Sequence, residues 1–230
     1  FTQINEIALK HNLIVIEDGA QSFGAEQLGT KSCNLSDIGC TSFFPSKPLG
    51  CYGDGGAVFT SDPSLAKSIR QIARHGQEKR YVHTRIGINS RLDTIQAAVL
   101  LAKLEVFDYE TAVKNNVAAS YFKLLQHSKI VTCPIVSEQN TSSWAQYTLK
   151  SEFRDEICGT LSSNNLPTAI HYPLPLNQQI AVADKSVFLP IGDEFSKQVF
   201  SVPIHAYMKT QTIEIIAETI LNYEQTINGI

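Results

Sequence analysis

Residues 43–57 read FFPSKPLGCYGDGGA, and this stretch decides the fold that we expect for the chain. It joins two short apolar runs, residues 38–44 and 57–60, which are bounded by Gly and Pro and therefore predict two β-strands. The connection is too short to hold a crossover helix, so if the strands are neighbours they should be antiparallel. Its glycines let the backbone turn tightly and pass close to a bound ligand.

The same connection carries one lysine, Lys47. Partial burial beside Phe43, Phe44 and Pro45 would disfavour the charged form of its amine and free the nitrogen to attack a carbonyl. The alternative is a solvated loop lysine, which is the usual environment of this residue type. Lys47 is therefore a candidate catalytic residue whose role depends on the groups that lie near it.

An aspartate follows another predicted strand upstream. Residues 13–16 (LIVI) form a continuous apolar run that ends at Glu17 and Asp18, as is typical of a strand buried on both faces of a parallel sheet. Ligands of such sheets bind outside the carboxyl ends of the strands, so we expect Asp18 and Lys47 at the same edge. The pair suits pyridoxal phosphate (PLP), because the lysine forms a Schiff base with it and the carboxylate pairs with the pyridine nitrogen.

Composition argues against several classes of function. The 230 residues carry a formal net charge of −3, which gives no general attraction to nucleic acid or to an anionic membrane. No apolar run approaches the length of a membrane span, and we expect no signal peptide. The five cysteines lack metal-type pairing and are typical of reduced thiols, so we expect a cytoplasmic protein without a metal site.

Two helices are predicted to begin in the middle of the chain. Asp62 is a good N-cap and Pro63 suits the first helical turn, so a helix should begin there. Asp93 with Gln96 makes a plausible capping box for a second helix, which should run towards residue 127. We expect this second helix to connect a large domain to a small one.

The pattern changes after residue 130, where short strands and helices alternate. Residues 144–150 (WAQYTLK) alternate like a half-buried strand, and residues 152–161 and 212–227 are predicted to be helical. We therefore divide the chain into a first domain, residues 1–127, and a second domain, residues 128–230.

Five stretches, in this order, resemble the DegT/DnrJ-type sugar aminotransferases: EDGAQSFGA (17–25), SFFPSKPLGCYGDGGA (42–57), RHGQEKRYVH (74–83), GINSRLDTIQAA (87–98) and IHYPLPL (170–176). The resemblance implies a PLP enzyme of the aspartate-aminotransferase fold (fold type I). This is an α/β fold with a mixed, mostly parallel sheet flanked by helices and a smaller α+β C-terminal domain. Relative to the family, we expect an N-terminal part of the large domain, with the helix N-terminus that grips the cofactor phosphate, to be missing from this chain.

The resemblance also implies roles for residues that the patterns alone do not single out. It sets Gln21 over the cofactor ring, although a turn residue that bonds backbone is the alternative. It makes Ser42 a contact of the cofactor phosphate. Together with Asp18 and Lys47, these two residues would form the cofactor site on this part of the chain.

Residues 77–91 are dense in polar groups, and a solvated loop is the default interpretation. The resemblance instead implies an arm that reaches across a homodimer interface into the partner's site. There Asn89 would contact the cofactor phosphate, and Arg91 could meet an anionic group of the substrate. In the second domain, His171 and Tyr172 would contact the sugar nucleotide, although a histidine in a strand is more often a packed core residue.

The activity that the resemblance implies is transamination in two half-reactions. L-glutamate would convert PLP into pyridoxamine phosphate (PMP), and a keto-sugar nucleotide would then take the amino group, with Lys47 as general base and acid. The nearest resemblance is to enzymes that aminate UDP-linked 3-oxo uronic acids for bacterial surface polysaccharides, such as the O-antigen of lipopolysaccharide. Alternatives are a dTDP- or GDP-linked 3- or 4-keto-6-deoxy sugar as substrate, or a non-catalytic PLP-binding regulatory homologue. A related class of sugar dehydratases typically replaces the lysine with histidine, so Lys47 argues against it.

Overall fold

The computed structural model describes residues 1–184 and 186–229. The chain forms two compact units, Phe1–Thr111 with Val136–Ala145, and Ala112–Ile135 with Gln146–Ile230. The boundary expected between residues 127 and 128 stays a prediction.

Within the described residues, the first unit contains two three-stranded sheets, one two-stranded hairpin and helices. Its elements are α1 (Thr2–Lys10), β1 (Ile16–Asp18), β2 (Glu26–Gln27), β3 (Thr30–Lys31), β4 (Ile38–Ser42), β5 (Gly56–Phe59), α2 (Pro63–Ile72), β6 (Gln77–Lys79), β7 (Val82–His83), α3 (Thr94–Leu125) and β8 (Asn140–Thr141). Helix α3 contributes its residues up to Thr111 to this unit. β8 follows α3 in the chain but returns to pair with β2.

The central sheet has the strand order β1-β4-β5. β1 runs parallel to β4, with Asp18 opposite Cys40, and β5 runs antiparallel to β4, with Gly56 opposite Ser42. Residues 43–55, which join β4 to β5 and carry Lys47, are called the lysine connection below. We predicted that the two strands on either side of it pair in antiparallel fashion, and this is confirmed. The parallel pairing expected for the upstream strand is confirmed as well.

The upstream strand is shorter and less covered than the sequence predicts. It begins at Ile16, and the side chains of Ile14 and Ile16 are 67% and 64% exposed. Because successive side chains of a strand alternate between faces, the covered face of β1 receives Glu17, which is 2% exposed. The expectation of a strand buried on both faces was therefore wrong for this chain.

Helix α2 begins as predicted. Asp62 is its N-cap and accepts hydrogen bonds from the amides of Ser64 and Leu65, with Pro63 in the first turn. These amides have no partner inside the helix, so the carboxylate satisfies donors that would otherwise need water. The polar stretch that follows is not wholly irregular, because β6 and β7 pair as a short antiparallel hairpin within it.

Helix α3 starts where the sequence predicts but without the predicted capping box. The side chain of Gln96 turns away to accept a hydrogen bond from the amide of Tyr52, 2.8 Å away. The helix then continues unbroken to Leu125. The capping-box interpretation was wrong because a distant backbone donor occupies the side chain that it required.

The core of the first unit lies between the lysine connection and the first half of α3. Its buried members are Phe43, Leu49, Cys51, Leu100 and Phe107. The half-buried ring of Phe23 meets the Phe43 ring edge-on at 5.9 Å and the Phe107 ring at 5.6 Å between centroids. Offset and edge-on aromatic pairs of this kind add to the hydrophobic stabilisation. The connection that carries Lys47 is therefore packed on one side against a buried apolar layer.

The second unit pairs two strands and covers them with helices. Its further elements are β9 (Tyr147–Lys150), α4 (Arg154–Ser163), α5 (Pro190–Gln198), β10 (Val199–Val202) and α6 (Thr210–Asn228). β9 and β10 are antiparallel, and their side chains Leu149 and Phe200 are fully buried. The strand predicted over residues 144–150 begins only at Tyr147, because Trp144 has a left-handed backbone with φ of 49°.

Among the described residues, no helix combines the length and the apolar character that crossing a membrane would require. All five cysteines are free thiols.

Candidate active site

The carboxyl ends of β1 and β4 form one edge of the central sheet, because the two strands are parallel. Asp18 is the last residue of β1, and Ser42 is the last residue of β4. Lys47 lies in the connection that leaves the sheet at Ser42. One sheet edge therefore collects a carboxylate, a hydroxyl and the segment that bears the amine.

The turn after Asp18 is tied directly to β4. The amide of Gly19 donates to the carbonyl of Cys40 at 2.7 Å, and the hydroxyl of Thr41 donates to the carbonyl of Gly19 at 3.1 Å. Asp18 itself is exposed, and its Oδ1 accepts from the amide of Ala20 at 3.0 Å. This local bond fixes the carboxylate at the sheet edge.

The lysine connection folds back on itself. The amide of Lys47 donates to the carbonyl of Phe44 at 2.9 Å, and the amide of Cys51 donates to the carbonyl of Phe43 at 2.8 Å. A Cβ at Gly50 would lie 2.5 Å from the carbonyl oxygen of Pro45, so only glycine fits this close approach. Lys47 is half-buried, next to the buried Phe43 and the exposed Phe44 and Pro45.

Gln21 lies in the turn that follows Asp18 and is exposed. The turn is closed by hydrogen bonds from the amide of Ser22 to Gly19 and from the amide of Ala25 to Ser22. The carbonyl of Gln21 also accepts from the hydroxyl of Ser143, 3.5 Å away. Backbone bonds thus hold this residue at the same edge, and its role over a cofactor ring stays a prediction.

A buried carboxylate, which the sequence interpretation left without a role, lies directly behind this edge. Glu17 Oε1 accepts from the hydroxyl of Ser32 and the amide of Cys33, both at 2.8 Å, and Oε2 accepts from the amide of Leu35 at 3.2 Å. Because Ser32 gives its proton to Glu17, the hydroxyl of Ser22 must donate to Ser32, 2.6 Å away. The network joins β1, the loop at residues 32–35 and the turn that carries Gln21.

Cys33 occupies a strained position in that loop. Its backbone has a φ of 71°, in the left-handed region, and its amide is one of the donors to Glu17. Burial raises the pKa of the Cys33 thiol, which keeps the sulfur protonated beside the Glu17 carboxylate. No local pattern marks this loop as a carboxylate-binding turn.

Asn89 and Arg91 lie together on an exposed segment. Arg91 Nε donates to Asn89 Oδ1 at 2.9 Å, so the amide nitrogen of Asn89 faces away from the guanidinium. The amide of Ser90 donates to the carbonyl of Ala73, which pins the segment to the end of α2. The next residue, Leu92, approaches the lysine connection, with Cδ1 3.0 Å from where a Cβ of Gly55 would stand. Contacts of Asn89 and Arg91 with a ligand, in this chain or in a partner, stay predictions.

His171 and Tyr172 belong to the second unit. Both are exposed, and their rings meet edge-on with centroids 5.6 Å apart. They are available to a ligand, and their part in substrate binding stays a prediction.

A cleft of about 460 Å³ opens beside β5 and α2. It is lined by residues that include Phe23, Ser32, Val58, Phe59 and Arg70. Neither Asp18 nor Lys47 is among its lining residues. The candidate site is therefore the open sheet edge rather than this cleft.

Comparison with known proteins identifies relatives over nearly the whole chain. Residues 1–221 match the profile of the DegT/DnrJ/EryC1/StrS aminotransferase family. A UDP-2-acetamido-2-deoxy-3-oxo-D-glucuronate aminotransferase from Pseudomonas aeruginosa is 54% identical over 96% of this chain and 62% of its own length. A pleiotropic regulatory protein from Geobacillus stearothermophilus is 36% identical over 96% of this chain and 60% of its own length.

The fold is likewise shared with solved structures. The crystal structure of DesV from S. venezuelae, solved in complex with a ketimine intermediate, superposes with a TM-score of 0.93 at 33% identity. The match covers 96% of this chain and 61% of that chain. The expected α/β aminotransferase fold is confirmed. The chain spans about three fifths of the length of the relatives that it matches.

Proposed function

The chain belongs to the DegT/DnrJ/EryC1/StrS aminotransferase family, and from this membership we propose that it carries the lysine-bearing site of a PLP-dependent sugar-nucleotide aminotransferase. The observation that carries the proposal is the arrangement of one sheet edge. Asp18 ends β1, Ser42 ends the parallel strand β4, and the half-buried Lys47 follows in the connection.

The chemical groups at this edge match those that PLP requires. Members of the family are PLP-dependent, and PLP offers an aldehyde, a pyridine nitrogen and a phosphate. Lys47 supplies an amine for the aldehyde, Asp18 a carboxylate for the nitrogen, and Ser42 a hydroxyl for the phosphate. Gln21 and Asn89 would complete the contacts to the ring and the phosphate. When bound, PLP supplies an electron sink for the charge that develops on the substrate carbon.

Three residues of the chain would have separate roles in the reaction. Lys47 Nζ would hold the cofactor through its aldehyde and, as a free amine, would take a proton from the substrate carbon that bears nitrogen and later return one. Asp18, held by the amide of Ala20, would pair with the pyridine nitrogen. Arg91 would pair with an anionic group of the substrate.

The substrate that we propose is a UDP-linked 3-oxo uronic acid, with L-glutamate as amino donor. The identity of 54% to the Pseudomonas aeruginosa enzyme supports this choice over dTDP- or GDP-linked sugars. His171 and Tyr172 would contact the sugar nucleotide. We further propose a cytoplasmic homodimer with the active sites at the interface, which acts in the synthesis of a bacterial surface polysaccharide.

The test begins with the covalent link. The protein is incubated with PLP, reduced with borohydride and digested, and we expect mass spectrometry to find the pyridoxyl group on Lys47. Transfer of the amino group from L-glutamate to the 3-oxo sugar nucleotide is then followed. Lys47→Ala should abolish both signals, whereas the control Lys10→Ala, which changes an exposed lysine of α1, should preserve them. Normal turnover by the Lys47→Ala variant would overturn the proposal.

The regulatory relative makes a non-catalytic role the second candidate. A regulatory homologue would attach PLP at Lys47 and yet transfer no amino group from L-glutamate to any keto-sugar nucleotide. Loss of the visible absorbance of the cofactor on adding L-glutamate therefore favours the enzyme. An absorbance that L-glutamate leaves unchanged favours the regulator.

A further inference from the structure

One face of α3 lies along the lysine connection. Its residues Gln96, Leu100, Lys103 and Phe107 follow one another at spacings of four, three and four, so they share a side of the helix. Leu100 and Phe107 pack into the apolar layer beneath the connection. The two polar members of this face, Gln96 and Lys103, do not pack into that layer and instead meet the backbone of the connection.

Gln96 and Lys103 each satisfy a backbone group just beyond Lys47. Gln96 Oε1 accepts from the amide of Tyr52 at 2.8 Å, and Lys103 Nζ donates to the carbonyl of Gly50 at 2.5 Å. Lys103 Nζ also lies 4.8 Å from the centre of the Tyr52 ring, within range of a cation–π interaction. Both side chains are half-buried, so solvent screens these contacts less than it would on an open surface.

The connection is anchored from its inner side as well. Cys51 is fully buried, and its sulfur lies 2.9 Å from the carbonyl oxygen of Phe43 and 3.1 Å from that of Gly53, so its single thiol proton has both oxygens within reach. Residues 50–53 are therefore fixed from below by Cys51 and from the side of α3 by Gln96 and Lys103. Lys47 lies three residues before the first of these anchor points.

We propose that Gln96 and Lys103 are positioning residues that aim the amine of Lys47 at the sheet edge. The inference rests on the proposed function, because Lys47 must reach the aldehyde of PLP to bind it covalently. PMP carries an amine in place of the aldehyde and forms no bond with a lysine. Loosening the two contacts should therefore weaken the binding of PLP while the binding of PMP changes little.

The ratio of the two affinities separates positioning from a general loss of structure. Gln96→Met and Lys103→Met keep the approximate length of each side chain but remove the strong acceptor and the donor. We expect each to raise the Kd for PLP about tenfold, with the Kd for PMP within about twofold of the wild-type value. Lys123→Met makes the same change on an exposed lysine further along α3, and it should leave both constants unchanged.

Three further variants test whether the lost hydrogen bonds, and not the substitutions as such, change the affinity for PLP. Gln96→Glu retains an acceptor and Lys103→Arg retains a charged donor, so both should recover most of the wild-type preference for PLP. Gly53→Ala leaves α3 intact, but its new methyl would lie 3.0 Å from Gln96 Nε2, so the end of that side chain must shift by a few tenths of an ångström. It should move the two constants in the same direction as Gln96→Met, by a smaller factor.

The two proposals fail in different ways. If wild-type protein forms no borohydride-trapped adduct at Lys47, the proposed function is wrong. If the wild-type adduct forms, but PLP and PMP weaken equally in the Met variants or do not weaken at all, the positioning role is wrong. If the Met variants do not fold, the same comparison of PLP with PMP is made on Gly53→Ala and decides in the same way.

Discussion

Glu17 and Asp18 are neighbours in β1, yet their carboxylates occupy opposite environments. Glu17 is 2% exposed and accepts three hydrogen bonds from the loop at residues 32–35, whereas Asp18 is exposed at the sheet edge and accepts one bond from Ala20. Strand alternation turns one side chain inward and the next outward. The inner carboxylate is therefore placed to hold the turn that follows the outer one.

We expect Glu17→Gln to destabilise the fold by about 1–3 kcal/mol, because the amide nitrogen that replaces one carboxylate oxygen faces a donor instead of accepting from it. Urea unfolding, followed by circular dichroism, measures the change. Asp37→Asn is a suitable comparison, since that carboxylate accepts an exposed hydrogen bond from the amide of Val15 and should matter less. Equal stability of the Glu17→Gln variant and the wild type would contradict the buried network.

Asp18→Asn should lower turnover and leave the stability of the fold almost unchanged. The amide preserves the acceptor for Ala20 but cannot keep the pyridine nitrogen protonated. Turnover should therefore fall by about a hundredfold or more, which corresponds to a loss of about 3 kcal/mol in transition-state stabilisation. The affinity for cofactor and the urea midpoint should change far less. Steady-state kinetics with L-glutamate, compared with cofactor titration, separates the two quantities. A variant that loses cofactor affinity and turnover in the same proportion would argue against this role.

Asp62 provides a prediction about pH. Hydrogen bonds from the amides of Leu65 and Ser64 hold the pKa of the Asp62 carboxyl below its ordinary value of 3.8. Because the pKa is lower in the folded state, the N-cap contributes stability above the unfolded pKa and loses that contribution as the pH falls through the folded pKa. Asp62→Asn keeps a capping oxygen without the titration. The free energy of unfolding of the variant should therefore fall less steeply than that of the wild type on acidification below 3.8.

The measurement compares both proteins by urea unfolding across that acid range. Asp155 is a useful control, because the pKa of its carboxyl is also lowered, by the neighbouring Arg154 rather than by a helix N-terminus. Asp155→Asn should leave the contribution of Asp62 unchanged. Parallel curves for wild type and Asp62→Asn would mean that the cap does not titrate as the hydrogen bonds require.

Local sequence signals predicted one part of the architecture and missed another. The β4–β5 pair and the N-cap at Asp62 follow from residues next to one another in the chain, and both are confirmed. The burial of Glu17 depends on donors at residues 32–35, and the true partner of Gln96 is Tyr52, 44 residues away. A single sequence carries no signal for such pairings, so the capping box was predicted where a long-range contact formed instead.

The lysine connection itself gives the last prediction. A methyl group at Gly50 would lie 2.5 Å from the carbonyl oxygen of Pro45 and 2.8 Å from that of Phe44. Both are backbone atoms and cannot rotate away, so the connection must shift. We expect Gly50→Ala to lower stability by about 1–3 kcal/mol, as overpacking does, and to slow the formation of the borohydride-trapped adduct at Lys47.

Gly159→Ala is the matched control for this substitution. Gly159 lies inside α4, and apart from its chain neighbours and the adjacent helix backbone nothing lies within 4 Å of its Cβ position, so the methyl has room. Alanine is also the better helix former, and the variant should be more stable than wild type by about 0.5–1 kcal/mol. Urea unfolding and adduct formation are measured on both variants. If Gly50→Ala matched Gly159→Ala in both measurements, the connection would be loose enough to absorb the methyl, and the tight backbone that we assign to the segment bearing Lys47 would be wrong.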